Sequence, residues 1–394
     1  MNVRRSAAVL AATVVIGTAA PALAAPSPSP FVPAGLYGST DPTYDGVWRQ
    51  SLALIAQHRA GVRPAASATD WLVGQQCANG AFAAYRADPA KACDAKVMVD
   101  TNSTAAAVQA LSALGGHASA TGKAVAWLKS VQNKDGGWGY LPGGASDANS
   151  TSVVIGALGD GAGKVLKDGK SPYDALLALS LPCADGGAFA YQPDKKGKLT
   201  ANADATAAAV VGAAGLGMAT AKAGDGATVT CTDAATPEGA AANGAAYLAE
   251  AVAKNGHLTS VLPGSENQPD YGNTADAVVA LAVQGGTEAA RKPLAWLEKN
   301  SAKWAAQSGP AAYAQLILAA QAGGADPRDF GGTDLVKRLN ATGPAPREAA
   351  KPQAEKAEKK NEDGVNVWWM IGVGLVAGIG VGFLFTGRNK GKQQ

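Results

Sequence analysis

Apolar residues along this chain recur three and four positions apart, the spacing of helices, and strand-like alternation is scarce. Two kinds of segment follow one another. One kind is Ala-rich and begins after a polar residue; its members run over 45–59, 103–114, 150–158, 204–216, 274–283 and 310–321. The other carries Trp-Leu or Tyr-Leu pairs near its middle and runs over 67–76, 122–132, 172–181, 239–254, 290–301 and 333–339. The pattern predicts about twelve helices in six alternating pairs. Small residues let the first set approach closely, as an inner ring requires. Trp71, Trp127, Tyr247 and Trp296 suit an outer layer that covers it. One pair cannot bury its apolar stripe alone, but a stacked or closed array can.

The connections repeat as well. Gln75–Phe82 (QQCANGAF), Gln132–Tyr140 (QNKDGGWGY), Pro182–Phe189 (PCADGGAF) and Ala253–Leu258 (AKNGHL) each offer Asn or Asp, then Gly, then a bulky or apolar residue. Their period is roughly 50 residues, within the range of stacked repeat units. Gly80, Gly136, Gly186 and Gly256 read as turn formers. Asn102-Ser103-Thr104, Asn149-Ser150-Thr151 and Asn273-Thr274 precede apolar runs, and Asp204 with Thr206 holds the matching place in a fourth unit. Short side-chain oxygens there suit helix caps, and Asp100, Asp147, Asp204 and Asp270 put negative charge near positive helix ends. In a ring, all of these gather at one rim. Asn102, Asn149, Asp204 and Asn273 therefore have two readings, as caps or as ligand contacts. Trp138 and Tyr140 likewise either pack between helices or line that rim.

The chain ends differ from its body. Arg4 and Arg5, the apolar run 7–20 and Ala22-Leu23-Ala24 have the form of a secretory signal peptide over 1–24. A Pro/Ser-rich spacer over 25–35 follows. A stretch rich in Pro, Ala, Lys and Glu over 342–363 reads as a stalk. Residues 365–386 are apolar and uncharged over a length that matches a bilayer core, and Arg388, Lys390 and Lys392 make 387–394 a basic cytoplasmic tail. The expectation is a single-pass cell-membrane protein with an extracellular domain over 36–341. The formal net charge of +3 comes from both signs spread along the chain, which excludes a nucleic-acid-binding footprint. Four cysteines in an exported domain favour two disulfides. Of the three connectivities they allow, sequence-local pairing gives Cys77–Cys93 and Cys183–Cys231. No C-x-x-C occurs and His58, His117 and His257 are scattered, so no metal site is expected.

Gln132 to Gly139, as Q-x-x-D-G-G-W-G, resembles the QW-type repeat of the prenyltransferase and squalene-oxidase repeat superfamily, the terpenoid cyclase and protein prenyltransferase toroids. The resemblance spans roughly Leu36 to Leu339. It implies an all-α fold, an α/α toroid of about six inner and six outer helices, to which the sequence adds one C-terminal transmembrane helix. The catalytic signatures of the superfamily are absent: no Asp-x-Asp-Asp acid, no Asp-rich magnesium motif, no zinc set of Asp, Cys and His, and no Gly-Cys-Gly-Glu-Gln thioester. No catalytic residue is therefore expected. Tyr271–Gly286 and Asp326–Leu339 look similar to late repeats of the transcobalamin and intrinsic factor type, the non-catalytic branch closest in character. The resemblance implies capture of a bulky small molecule, with cobalamin as the candidate ligand, for a membrane transporter or with a separate capping protein. The alternatives are a surface scaffold that uses the toroid as a protein dock, and an atypical cyclase or prenyltransferase-like enzyme. Carboxylates converging inside a deep apolar cavity would favour the last of these.

Overall fold

A computed structural model describes residues 32–232, 235–261 and 264–347. The expected signal peptide, most of the spacer, residues 348–363 of the stalk, the 365–386 span and the basic tail lie outside the described residues. Among the described residues no helix is long and apolar enough to cross a membrane.

The described chain is all-α apart from one two-residue antiparallel ladder, β1 (Phe82–Ala83) with β2 (Val99–Asp100). One set of helices is α1 (Gly46–Arg59), α3 (Thr101–Leu114), α5 (Ala148–Leu158), α7 (Ala203–Ala213), the first half of α9 (Tyr271–Asn300) and α11 (Pro310–Gly323). Each packs on the next, and α11 packs back on α1, so the set closes into a ring. The other set is α2 (Ala66–Gly74), α4 (Ala118–Ser130), α6 (Pro172–Ala178), α8 (Pro237–Ala253), the second half of α9 and α12 (Leu335–Asn340). Its members lie against the ring from outside. Both sets match the expected inner and outer helices, with one further short helix, α10 (Ala302–Ser308). The two halves of α9 run into each other without a loop. Gly286, at φ 68° and ψ −171°, breaks the helical path between them. A side chain there would be strained, and an added Cβ would lie 2.9 Å from Gly226 Cα.

The inner helices are tied to the connections by one repeated contact. The bulky residue of each motif donates its backbone N–H to a threonine in the first turn of the following inner helix. The pairs are Phe82 to Thr104 Oγ1 (2.9 Å), Trp138 to Thr151 (3.1 Å), Phe189 to Thr206 (2.9 Å) and Leu258 to Thr274 (3.0 Å). In three of them the threonine hydroxyl also lies on the carbonyl of the cap residue four positions back, Asp100, Asn202 or Asp270. The cap residue returns a backbone bond in its turn: Asp147 N–H donates to Trp138 O, Asn202 to Phe189 O and Asp270 to Leu258 O. Gln76 and Gln132 brace the same turns, bonding Gly80 O and Gly136 O and reaching Ala120 O in the first turn of α4 and Val165 O in the connection before α6. Gly136 has φ 90°, and a Cβ there would sit 2.1 Å from Ser171 O at the start of α6, so no other residue fits.

Both disulfides form as expected, Cys77–Cys93 and Cys183–Cys231, and no free cysteine remains. The first residues expected of the stalk, 342–347, also pack on the domain. Thr342 O accepts from Gly38 N–H, Pro344 O from the Tyr37 hydroxyl, and Arg347 N–H donates to Arg63 O.

Two outcomes follow. Thr151→Val keeps the shape but leaves the buried Trp138 N–H without an acceptor; urea denaturation is expected to register a loss of about 1–3 kcal/mol. Replacing Cys183 and Cys231 together by Ser opens a loop of sequence separation 48. The expected cost is about 2–4 kcal/mol, read as a lowered denaturation midpoint relative to the oxidised wild type.

Candidate functional site

The centre of the ring is not filled. All six inner helices face a cavity of about 240 Å³. Its middle is apolar: Leu52 of α1, Val153 of α5, Val211 of α7, Val279 of α9 and Leu318 of α11. Alanines and glycines of α7 (Ala207, Ala208 and Gly212) keep the wall thin and leave the space open.

One end of the cavity is closed by the connection between α7 and α8. Leu216, Gly217, Met218 and Ala221 line it. This stretch touches alternate helices of the ring. Arg59 Nη1, in the last turn of α1, donates to Ala219 O at 3.2 Å. Gly217 lies against Gly156 of α5, so close that a Cβ on Gly217 would be 2.6 Å from Gly156 Cα. Gly224 N–H donates to Ala282 O of α9 at 2.9 Å. The segment therefore crosses the ring where the inner helices finish, and Cys231 bonds its far end to Cys183.

The other end, where the inner helices begin, is polar. Asn102, Asn149 and Asp204 are each the second residue of their helix, and Asp276 and Gln315 lie one turn deeper on α9 and α11. Asn149 Nδ2 donates to Asp204 Oδ2 at 2.7 Å, and Gln315 Nε2 lies 3.3 and 3.5 Å from the two Asp276 oxygens. Burial pushes Asp276 up to about 7; the Asp204 and Asp270 charges add to this, against the Gln315 bond. Asp204 is also raised, by burial and then by Asp270, against the Asn149 bond. Arg59 at the far end is lowered by burial. At neutral pH the polar end therefore holds a carboxyl that shares its site with a proton.

The expected rim residues divide. Asn102, Asn149 and Asp204 line the cavity, but they are not the caps. Asp100, Asp147 and Asn202, two positions earlier, accept the first-turn N–H groups of Ser103 (2.6 Å), Ser150 (2.6 Å) and Ala205 (2.8 Å). A cap must precede the helix, so the residue two further on is already on the first turn, facing the lumen. Asn273 does not reach the cavity; its side chain and N–H both bond Asp270, the cap of α9. Trp138 lies in the core at 0% exposure, with Nε1 donating to Leu128 O at 2.8 Å. That is the packing reading, and it takes Trp138 away from any ligand rim. Tyr140 stays 44% exposed outside the cavity, and its carbonyl accepts from Thr101 N–H. The sequence reading missed Gln109, Asp276, Gln315 and Arg59. The available signal was Asp276 itself, a lone charge inside the Ala/Val run of α9.

The exposed large apolar residues among the described residues are unevenly placed. Tyr44, Met98, Tyr140, Leu141, Tyr191 and Val261 lie in connections that lead into the start of an inner helix, and Leu166, before the outer helix α6, is the exception.

No family model matches the chain, and no curated protein matches it. Solved structures to which this chain is similar include a protein from Actinoplanes, 17% identical, with a TM-score of 0.49 over 73% of this chain and 92% of that one. They also include ent-copalyl diphosphate synthase from Streptomyces platensis, 18% identical, TM-score 0.48, over 71% of this chain and 51% of that one. A third is a sugar epimerase from a ruminal bacterium, 16% identical, TM-score 0.44, over 68% of this chain and 80% of that one.

The raised Asp276 has a consequence for stability. Its folded-state pKa lies above the ordinary value, so the folded chain keeps a proton that the unfolded chain releases. The stability this contributes is complete below about pH 4 and is lost as pH rises toward about 7. Asp276→Asn is neutral at every pH and should flatten that part of the decline, measured as urea midpoints across the range. Asp100, pushed up to about 6 by burial, leaves a smaller slope in both proteins.

Proposed function

We propose that this chain is an exported, membrane-tethered binding protein whose inner ring encloses a small, partly apolar molecule. The observation that carries the reading is the cavity: about 240 Å³, apolar in its middle, polar at one end and closed at the other. Concave, mostly apolar sites with a few convergent polar groups are the usual form of small-molecule sites. Export is supported by the two disulfides, which persist in oxidising compartments. The tether rests on the apolar run 365–386 and the basic residues after it.

The volume narrows what the lumen itself would hold. At about 240 Å³ it is smaller than sites for drug-sized molecules, which run to about 300–1,000 Å³, so this reading takes a ligand smaller than cobalamin. The apolar residues around the inner-helix starts offer a face on which a membrane partner, such as a transporter, would meet the site.

A second reading has its own observation. A carboxyl held near pKa 7 beside another carboxylate, in an apolar cavity, is the arrangement of a general acid. On that reading Asp276 gives its proton to one carbon of a small apolar alkene, and its carboxylate takes a proton back from a carbon next to the cation so formed, which shifts the double bond and restores the acid. Deuterium from solvent would enter the product, and Asp276→Asn would end turnover.

Ala208 of α7 lines the cavity and separates the binding reading from a structural void. Ala208→Phe fills the space from the wall without touching a cap. Native mass spectrometry of the undenatured wild-type chain should find a non-covalent small molecule that organic solvent releases. The variant should fold with an unchanged circular dichroism spectrum and carry none. A wild type that carries nothing, and that gives no heat with small amphiphiles, would count against enclosure.

A further inference from the structure

The polar end of the cavity is short of donors. Asn149 Oδ1, beside Asp204, has no hydrogen-bond partner. Two other unpartnered lining atoms do not belong to this imbalance: Gln109 Oε1 sits against Gly217 at the closed end, and the Ser152 hydroxyl can donate as well as accept. An unpaired buried polar atom is costly and calls for a partner. The amide donors nearby are already taken. Gln109 Nε2 donates to Val153 O at 2.9 Å, and Asn149 Nδ2 to Asp204. Asp276 receives only the long bonds from Gln315.

The charges are lopsided in the same direction. Asp204 and Asp276 line the polar end, and Asp270 acts on both. Among the described residues no ion pair reaches any of them. Arg59 lies at the closed end, committed to Gln321 Oε1 and Ala219 O. The described residues hold no group of His, Cys, Asp and Glu fit for a metal ion. The occupant of this end must therefore donate hydrogen bonds and carry positive charge. The apolar walls beyond it require a hydrocarbon part as well. Trp48 lines the cavity from the first turn of α1, and an aromatic ring also suits a cation.

We propose that the ligand of this cavity is a small organic cation: an ammonium held between Asp204 and Asp276, joined to a short apolar body that lies against Leu52, Val211, Val279 and Leu318. This rests on the reading that the cavity binds a small molecule, and it names the chemistry that molecule must have. An anion or a neutral acceptor-rich ligand would leave Asn149 Oδ1 unpaired and face two carboxylates.

The test compares n-hexylammonium with n-hexanol, which share a hydrocarbon body, by calorimetric titration of the full-length chain at about pH 8, above the raised Asp276 value. Hydrogen bonds to charged groups are worth about 1.5–3 kcal/mol, so the ammonium should bind at least about tenfold more tightly. In the double variant Asp204→Asn, Asp276→Asn that preference should disappear. An unchanged circular dichroism spectrum establishes that the variant is folded. Hexanol binding as tightly as the ammonium in the wild type would overturn the cation and leave the cavity reading standing. So would a preference that survives in the double variant. If neither probe binds the wild type, enclosure itself fails, and the cation with it.

Discussion

The structure depends on the bond between a motif N–H and a first-turn threonine. Phe82, Trp138, Phe189 and Leu258 come from connections of different length and sequence, yet each ends on a threonine at the same place in the following inner helix. The acceptor hydroxyl is buried, and so are the aromatic side chains beyond it. In the interior a bond of this kind is hard to replace, since its loss strands a donor away from water. The bond also fixes rotation. With the threonine held toward the motif and the cap residue held four positions back, the second residue of α3, α5 and α7 has one direction left, into the ring.

That rotation explains why the cavity is acidic at one end. Inner helices all start on the same side, because each outer helix carries the chain back. Their positive ends gather there, and cap carboxylates at Asp100, Asp147 and Asp270 answer them. The cavity-facing carboxylates are a separate layer. Asp204 is on the first turn, but Asp276 is a full turn inside, away from the exposed helix end and beside apolar walls. Burial therefore dominates its proton affinity, and the neighbouring charges add to that effect. α9 also differs from its neighbours at the rim: where α3, α5 and α7 place Asn or Asp in the second position, α9 has Gly272. A Cβ at Gly272 would approach the Gln315 amide no closer than 3.7 Å, so this gap leaves room above Asp276.

Much of this was legible in the sequence, and the misses have physical causes. The helix pairs, the two layers and both disulfides follow from the apolar period, the Gly-aromatic repeats and the cysteine spacing. The cap assignment slipped by two residues because Asp-x-Asn-Ser-Thr offers several side chains of equal capping chemistry; only the register of the helix tells which one precedes it. Trp138 is ambiguous for a similar reason. A tryptophan in a turn suits a ligand rim or a core, and the Leu128 carbonyl that takes its Nε1–H belongs to another helix. Gln109, Asp276 and Gln315 are polar residues on Ala-rich helices. Such positions face either the lumen or the outer helices, and the apolar period does not separate the two when both faces of an inner helix are buried.

The closed end of the cavity bears on how a ligand would come and go. The stretch from Leu216 to Gly224 is fixed at three helices of the ring, through Arg59, Gly156 and Ala282, and its continuation is tied down by Cys231. Glycine at 217 is what lets the chain pass Gln109 and Gly156 at that distance. Long connections without secondary structure are commonly functional lids, but lids are held by few buried contacts, and this one is held at both ends and in the middle. Exchange is therefore expected at the opposite end, past Asn102, Asn149 and Asp204. A ligand entering there would meet the carboxylates before the apolar walls, so charge would act on it at the mouth and size in the lumen.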